Sequence, residues 1–455
     1  MLTIKPAKNI HGKCILPPSP DLLLLTAVVA LVRKQHTTVT PMIDNPALTD
    51  RWRHLFKDHL TIATTGAGDA VTFTPVEDDP AVRICFDSPD IPWRDIVVFA
   101  LLASGKTVVF GSITDERIAM WLKQAKRFGG TITVEPWENH QCLSMTEFNF
   151  SGSEDTTVAE NDLHALLGTL LGAGKSRKFV VNYPVSSPLR SAASAFGFTL
   201  EVKSMQVIER DEIARRLRMM QQKRGRGSGG SQQFSVSADF TLLSDQETPA
   251  AAITLPGDEL LGAVFTAAKC LFPKGAFTIG NILLESWATP LLAFIRKMGC
   301  KVSVQETGRT SYGSVGILHI QTVGLAGRKL ECVPAIQYVP YLPAMVVIAA
   351  FAEGESVFRE LSDLRLDDPD GIDQLEKCIR ALGIHHGEMP DGIVLKGGRD
   401  FDGFDLPEPL PAQTAAAFAI AALRCIGTTT INDEQLLLRN PAFNELLKTY
   451  GEFRE

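Results

Sequence analysis

Residues 93–134 read WRDIVVFALLASGKTVVFGSITDERIAMWLKQAKRFGGTITV. The segment opens with an apolar helical pattern and continues into the short strand KTVVFGSI. A second helical pattern, ERIAMWLKQAKRF, ends at Gly129-Gly130 and is followed by the strand TITV. A glycine directly after a helix is favoured because it readily adopts the left-handed conformation that ends many helices. The stretch therefore predicts a helix–strand–helix–strand unit.

The same order of patterns recurs five more times along the 455 residues. From 258, for example, DELLGAVFTAAKCLFPKG precedes AFTIGNI, and from 412, AQTAAAFAIAALRCIG precedes TTTINDE. Five second helices close on Gly129, Gly197, Gly299, Gly383 and Gly451. Apart from one long gap these glycines recur about every 70 residues, a longer period than the roughly 20–50 residues of solenoids. The sequence therefore predicts an α/β fold of six units, with three units in each of two domains.

Composition and charge narrow the class of protein. The longest apolar runs, such as 22–32, are about half of what a membrane-spanning helix needs. The opening MLTIKPAKNIHG lacks the apolar core of a signal peptide, and the eight cysteines show no C-x-x-C pair or metal-ligand spacing. We therefore expect a cytoplasmic protein with reduced thiols, no metal site, no cofactor and no membrane contact. The net charge of −7 argues against a dedicated nucleic-acid binder.

The long gap in the repeat coincides with a basic stretch that becomes rich in glycine and serine, IARRLRMMQQKRGRGSGGSQQ. We predict an insertion at about 207–247 between the third and fourth units. Such composition is typical of a solvated surface segment, helical and then flexible. Arginine mixed with glycine also permits mobile cationic contacts with an anion, a partner or RNA, and this alternative stays open.

Three stretches carry a resemblance to a known family: LTIKPAKNIHGKCILPPSPD near the start, ITLPGDELLGAVFTAA from 253, and LRLDDPDGIDQLEKCIRALG from 364. With these motifs and the order of the units, the chain resembles the EPSP synthase (3-phosphoshikimate 1-carboxyvinyltransferase) family of enolpyruvyl transferases. The resemblance implies a two-domain inside-out α/β barrel. In it, residues 1–17 and 254–455 form the first domain with units four to six. Residues 18–253 form the second domain with units one to three.

The resemblance also implies a reaction, in which the enolpyruvyl group of phosphoenolpyruvate passes to a hydroxyl of a small anionic acceptor in the interdomain cleft. Such chemistry needs cations for phosphate and carboxylate groups, and a carboxylate base. By position in the motifs, the implied residues are Arg94 and Arg117 for phosphoenolpyruvate, Ser186 and Asn161 for the acceptor, and Asp258 or Asp368 as the base.

Several family motifs are replaced in this chain. Pro20 stands where the family has a lysine, Pro340 where it has the catalytic aspartate, and residues 411–413 read PAQ in place of D-H-R. Arg439 takes the place of the terminal lysine only with a one-residue shift. Two interpretations stay open: a transferase whose acceptor is not shikimate 3-phosphate, or a catalytically inactive member that binds or regulates.

Overall fold

The structure of the chain is a computed structural model. It describes residues 1–40, 52–65, 70–76, 83–86, 94–110, 113–138, 140–148, 157–158, 162–174, 177–181, 198–205, 238–244, 252–284, 289–332, 338–366, 371–398 and 400–453.

The described helices are of two kinds. Six are apolar on all sides and almost completely buried, as expected of helices enclosed by other elements. These inner helices are α1 (Pro20–Arg33), α2 (Arg94–Ala103), α4 (Leu163–Ala173), α5 (Glu259–Leu271), α7 (Leu342–Ala350) and α9 (Ala412–Arg424). The others bury one stripe and expose charged residues; they are α3 (Asp115–Arg127), α6 (Thr289–Met298), α8 (Gly371–Ala381), α10 (Glu434–Arg439) and α11 (Phe443–Tyr450). Short 3-10 turns occupy Val339–Tyr341 and Ser362–Leu366.

The described strands show the six-fold repeat directly. The strands are β1 (Leu2–Ile4), β2 (Ala7–Ile10), β3 (Gly12–Ile15), β4 (Thr37–Thr40), β5 (Leu60–Thr65), β6 (Ala70–Pro75), β7 (Arg83–Phe86), β8 (Thr107–Phe110), β9 (Gly130–Trp137), β10 (His140–Phe148), β11 (Thr157–Val158), β12 (Arg177–Val181), β13 (Phe198–Met205), β14 (Ala238–Ser244), β15 (Ala252–Thr254), β16 (Phe277–Leu283), β17 (Cys300–Thr310), β18 (Gly313–Thr322), β19 (Lys329–Glu331), β20 (Gly354–Arg359), β21 (His385–Met389), β22 (Gly392–Gly397), β23 (Asp405–Leu406), β24 (Thr429–Ile431) and β25 (Gly451–Phe453).

Five sheets share one strand order and polarity: β15-β4-β6-β5, β7-β8-β10-β9, β11-β12-β14-β13, β3-β16-β18-β17 and β19-β20-β22-β21. In each sheet the first pair is parallel and the other two pairs are antiparallel. The sixth sheet, β23-β24-β1, has the same parallel and first antiparallel pair. The predicted six-unit α/β fold is confirmed.

Two separate apolar cores surround the inner helices, one built on α1, α2 and α4 and the other on α5, α7 and α9. The chain passes between the two cores twice. It leaves the core of α5, α7 and α9 after β3, which pairs with β16, and continues into α1. It returns after β15, which pairs with β4, and continues into α5. The placement of the domain boundaries at 17/18 and 253/254 stays a prediction.

The structure changes two details of the sequence analysis. Gly129, Gly299 and Gly383 have positive φ angles, as the helix-end prediction requires. Gly451 does not, since it has φ −89° and ψ 126° and begins a strand directly, so the prediction was wrong there. The predicted insertion also reached too far, because residues 238–244 form β14, which pairs with β12 and β13 in the third sheet.

Candidate active site

The starts of α1 and α5 meet where the chain crosses between the two cores. Asp258 donates its backbone N–H to Pro17 (2.6 Å), and Ser19 donates its own to Pro256 (3.1 Å). Both helices are capped locally: Ser19 Oγ accepts from Leu22 (3.4 Å), and Asp258 Oδ1 accepts from Leu260 (2.9 Å) and from the next backbone N–H. Helix starts carry partial positive charge, so two such fields are directed at this crossing.

Three charged side chains from distant parts of the sequence come together at the crossing; we call them the junction cluster. Arg439, at the end of α10, donates from Nη2 to Asp21 Oδ2 at 2.6 Å, and the same nitrogen lies 3.9 Å from Asp258 Oδ1. The Arg439 and Asp21 side chains are 16% and 11% exposed, and that of Asp258 is 1% exposed. One guanidinium group therefore stands between two nearly buried carboxylates.

A further carboxylate borders the junction cluster on α5. Tyr341, which precedes α7, donates its hydroxyl to Glu259 Oε1 at 2.5 Å. This bond joins the start of α7 to the start of α5, so these two inner helices present the same end to the crossing. Glu259 is half-buried and Tyr341 is buried.

Asp258, one of the two predicted bases, is completely buried in this position. Its Oδ1 accepts the two capping hydrogen bonds, whereas Oδ2 is enclosed and accepts none from the residues that the structure describes. A buried carboxylate oxygen without a donor is unfavourable, because the group has lost water and gained nothing in return.

In the second domain the packing of α2 against α4 brings two more helix starts together. A Cβ on Gly168 would lie 2.4 Å from the Ile96 carbonyl oxygen, and one on Gly172 would lie 2.1 Å from that of Ala100. Only glycine permits such an approach of two backbones. Because both contacts advance by four residues in the same direction, the helices are parallel and their first turns are neighbours.

These first turns hold one of the predicted arginines. Arg94 is the first residue of α2; its side chain is one-fifth exposed, and its Nε lies 4.0 Å from Asp95 Oδ1. Trp121 of α3 donates its indole N–H to the same carboxylate oxygen at 2.9 Å. Asp95 thus joins the start of α2 to α3.

The second predicted arginine, Arg117, lies on α3 one turn before Trp121. Residues four apart share a helix face, so Arg117 is placed on the side of α3 that contacts Asp95. Its Nη1 also approaches Met120 Sδ at 3.9 Å, and its backbone N–H is capped by Thr114 Oγ1 at 3.2 Å. We call Arg94, Arg117, Asp95 and Trp121 the arginine cluster.

His164, in the first turn of α4, was not predicted as a site residue. Burial lowers the pKa of its imidazole, and the nearby Asp95 carboxylate opposes that shift. Near neutral pH the ring is therefore uncharged and can both donate and accept a hydrogen bond. The sequence contained little to indicate this residue, since a single histidine next to Leu163 in an apolar helix belongs to no recognisable motif.

The other predicted site residues, Asn161, Ser186 and Asp368, lie outside the described residues. Within the described part of the chain, no group of three or more His, Cys, Asp or Glu side chains is arranged to hold a metal ion. No helix there is long and apolar enough to cross a membrane.

Comparison with known proteins supports the predicted fold. The structure superposes on EPSP synthase from Acinetobacter baumannii with a TM-score of 0.67 and 17% identity, covering 99% of this chain and 98% of that one. It superposes on the enolpyruvyl transferase NikO from Streptomyces tendae with a TM-score of 0.68 and 15% identity, covering 99% and 97%. The two-domain enolpyruvyl transferase fold is confirmed.

Sequence similarity is more restricted. The 3-phosphoshikimate 1-carboxyvinyltransferase of Acaryochloris marina is 27% identical over 196 residues, 43% of this chain and 44% of the relative. That of Xanthomonas axonopodis pv. citri is 28% identical over 224 residues, 48% and 51%. The chain spans about half the length of the curated relatives that it matches. The family model for EPSP synthase (3-phosphoshikimate 1-carboxyvinyltransferase) matches residues 183–445, more than half of the chain. The chain therefore belongs to the EPSP synthase family.

Proposed function

We propose that this chain binds phosphoenolpyruvate and transfers its enolpyruvyl group to a hydroxyl of a small acceptor other than shikimate 3-phosphate. The observation that supports the proposal is the arginine cluster, in which Arg94 begins α2 with its Nε 4.0 Å from Asp95 Oδ1, and Arg117 lies on α3 one turn before Trp121, which donates to the same carboxylate oxygen. Guanidinium groups bind carboxylates and phosphates with two parallel hydrogen bonds, and the helix starts add partial positive charge.

The transfer itself is an addition followed by an elimination. In the addition, the acceptor oxygen bonds to C2 of phosphoenolpyruvate while the methylene carbon of phosphoenolpyruvate gains a proton and becomes a methyl group. In the elimination, the bond between C2 and the phosphate oxygen breaks, and the methyl group loses a proton. A carboxylate must take the acceptor's proton. We assign that role to Asp258, whose Oδ2 is buried and accepts no hydrogen bond from the described residues. Asp368 is the alternative base, and Ser186 and Asn161 are assigned to the acceptor by resemblance.

The acceptor is inferred from what replaces the family's motifs. A second phosphorylated substrate needs further cations, yet Arg439 at the junction is already paired with Asp21 and lies 3.9 Å from Asp258. Unit charges of like sign about 4 Å apart repel by about 4 kcal/mol at an effective dielectric constant near 20. This arrangement disfavours a phosphate at the crossing.

Calorimetric titration of the purified chain with phosphoenolpyruvate, followed by measurement of phosphate release in the presence of candidate hydroxyl acceptors, tests the proposal. We expect binding in the micromolar to millimolar range that falls at least about tenfold in Arg117→Gln, about 1.4 kcal/mol. Arg359→Gln is the matched control, because Arg359 lies on β20 and pairs with Asp391 at the surface. Wild-type protein that binds no phosphoenolpyruvate at millimolar concentration would contradict the proposal.

A second candidate function is a non-catalytic binding or regulatory role. It is favoured by the loss of the D-H-R motif at 411–413 and by the Asp21–Arg439 ion pair, which engages the residue nearest to the family's terminal lysine. The two functions differ in one observable: the binding protein retains affinity for phosphoenolpyruvate but releases no phosphate with any acceptor. For either function, closure of the cleft on a ligand should change the protease sensitivity of the chain or its radius in solution scattering.

A further inference from the structure

The β17–β18 hairpin belongs to the fourth unit but ends in the other domain. Its strands pair in the sheet β3-β16-β18-β17, which packs on the core of α5, α7 and α9. Tyr312, at the tip of the hairpin, is 3% exposed and is buried in the core of α1, α2 and α4. Leu283 of β16 and Val315 of β18 also lie in that second core. One end of this sheet is therefore packed into the neighbouring domain.

Hydrogen bonds hold the tip against two elements of the neighbouring domain. The Tyr312 hydroxyl oxygen lies 3.2 Å from Thr26 Oγ1, which itself donates to the Leu22 carbonyl of α1 at 2.7 Å. Ser311 donates its backbone N–H to the Thr254 carbonyl at 3.2 Å, and its Oγ accepts from the Thr254 backbone N–H at 2.9 Å. Thr254 is the last residue of β15, which pairs with β4. The tip is thus bound to a helix and to a sheet.

The tip also has a conformation that its own residues fix. Thr310 Oγ1 accepts from the Tyr312 backbone N–H and donates to the Gly313 carbonyl, both at 3.2 Å. Gly313 has a φ angle of 131°, which glycine adopts most readily. A tip that is ordered in this way loses little conformational entropy when it docks.

The corresponding hairpin of the fifth unit shows that the repeat does not require such a contact. Its strands β21 and β22 have five and six residues, whereas β17 and β18 have eleven and ten. The tip of the shorter hairpin stays on its own sheet, where Asp391 accepts from Arg359 of β20 at 2.7 Å. Along β17, residues 303–309 are exposed, and Tyr312 at the tip is buried again. The additional length of this hairpin therefore spans solvent and reaches the other domain.

We propose that the tip of the β17–β18 hairpin is an anchor between the two domains that confines their relative motion to one axis. The two chain crossings form a single joint, since Asp258 is bonded to Pro17 and Ser19 to Pro256. Two rigid bodies joined at one place can turn about any axis through it, but a second fixed contact leaves only the line through both. The crossing and Tyr312 define that line. The inference does not depend on the proposed function or on any ligand.

Pulsed electron paramagnetic resonance between two spin labels tests the anchor in the full chain. Cys85 on β7 is exposed and the other seven cysteines are buried, so Cys85 is a labelling site in one domain. Lys377→Cys supplies the second site, at an exposed position of α8 in the other domain. We expect a narrow distribution of distances between the labels. Adding Tyr312→Ala should make it at least about twofold wider, because the domains can then turn about further axes.

Tyr450→Ala is the matched control, since Tyr450 packs against Phe265 and Phe277 within one core, and the width should not change. The double variant Ser311→Ala/Tyr312→Phe removes polar contacts of the tip but keeps the ring, so it should widen the distribution to a smaller extent. If Tyr312→Ala does not fold, the double variant decides the question. An unchanged width in every Tyr312 variant that folds overturns the proposal, as does equal widening in Tyr450→Ala.

Discussion

The ion pair between Asp21 and Arg439 joins α1 in one core to α10 in the other, over 418 positions of sequence. Replacing Arg439 by methionine keeps much of the side-chain volume but leaves Asp21 and Asp258 buried without this cation. Removing one partner of a buried ion pair costs about 3–5 kcal/mol, because the remaining charge loses that counter-ion and does not regain the water that it gave up on folding. We expect the Arg439→Met variant to be destabilised by about this amount.

The structure also predicts an asymmetry. In Asp21→Asn the guanidinium still has Asp258 at 3.9 Å, and asparagine can still accept a hydrogen bond, so the cost should be about 1–2 kcal/mol. The double variant Arg439→Met/Asp21→Asn should be more stable than Arg439→Met alone, because the Asp21 charge that lost Arg439 is removed. The difference between its change in unfolding free energy and the sum of the two single changes measures the coupling between the residues.

Equilibrium unfolding in urea measures these differences, with two signals. Four of the five tryptophans precede residue 138, so fluorescence reports mainly on the second domain, while circular dichroism reports on both. If the ion pair couples the domains, Arg439→Met should separate the two transitions, and Arg359→Gln should not. An Asp21→Asn variant that is as destabilised as Arg439→Met, or single effects that simply add, would refute the reasoning.

Three further perturbations follow from local geometry. Gly172→Ala should lose about 1–3 kcal/mol in thermal unfolding, since its Cβ would lie 2.1 Å from a carbonyl oxygen of α2, whereas Gly308→Ala, with 3.8 Å of space, should be near neutral. The sulfur atoms of Cys270 and Cys300 lie 3.9 Å apart, and the Cys270 thiol lowers the pKa of Cys300 to about 7. Treatment with diamide should therefore form a disulfide between them. A mass spectrum in which all thiols remain free would contradict this. Burial lowers the pKa of His164 below its unfolded value of about 6.5, so the unfolded state binds the extra proton and the free energy of unfolding falls as the pH drops below that value. His164→Gln should reduce this fall.

The fold could be predicted from the sequence because each unit carries its own local signals. The apolar pattern of α2 and the charged stripe of α3 differ within one unit, and this difference decides which helix is inside. Because this unit occurs six times, the same order of helices and strands is expected in each copy. The end at Gly451 could not be predicted, since pairing of β25 with β2 at the far end of the chain sets its conformation.

The site was predictable only in part, for a related reason. Arg94 and Arg117 were assigned by position in motifs; Arg94 lies beside Asp95, and Arg117 lies one helical turn from Trp121, which donates to that carboxylate. The pairing of Asp21 with Arg439 depends on how the two domains meet, which no local pattern encodes. The same holds for Tyr312, at the tip of the β17–β18 hairpin, whose hydroxyl lies 3.2 Å from the Thr26 hydroxyl in the other domain's core.

The helix starts show how stability and binding can be separated within one structure. At α1, Ser19 already caps the helix and Pro20 occupies its first turn, so the carboxylate of Asp21 is not needed for capping and is directed to Arg439 instead. At α5, Oδ1 of Asp258 alone makes both capping bonds. Its Oδ2 takes no part in the cap, and this is the atom to which the proposed function assigns the acceptor's proton.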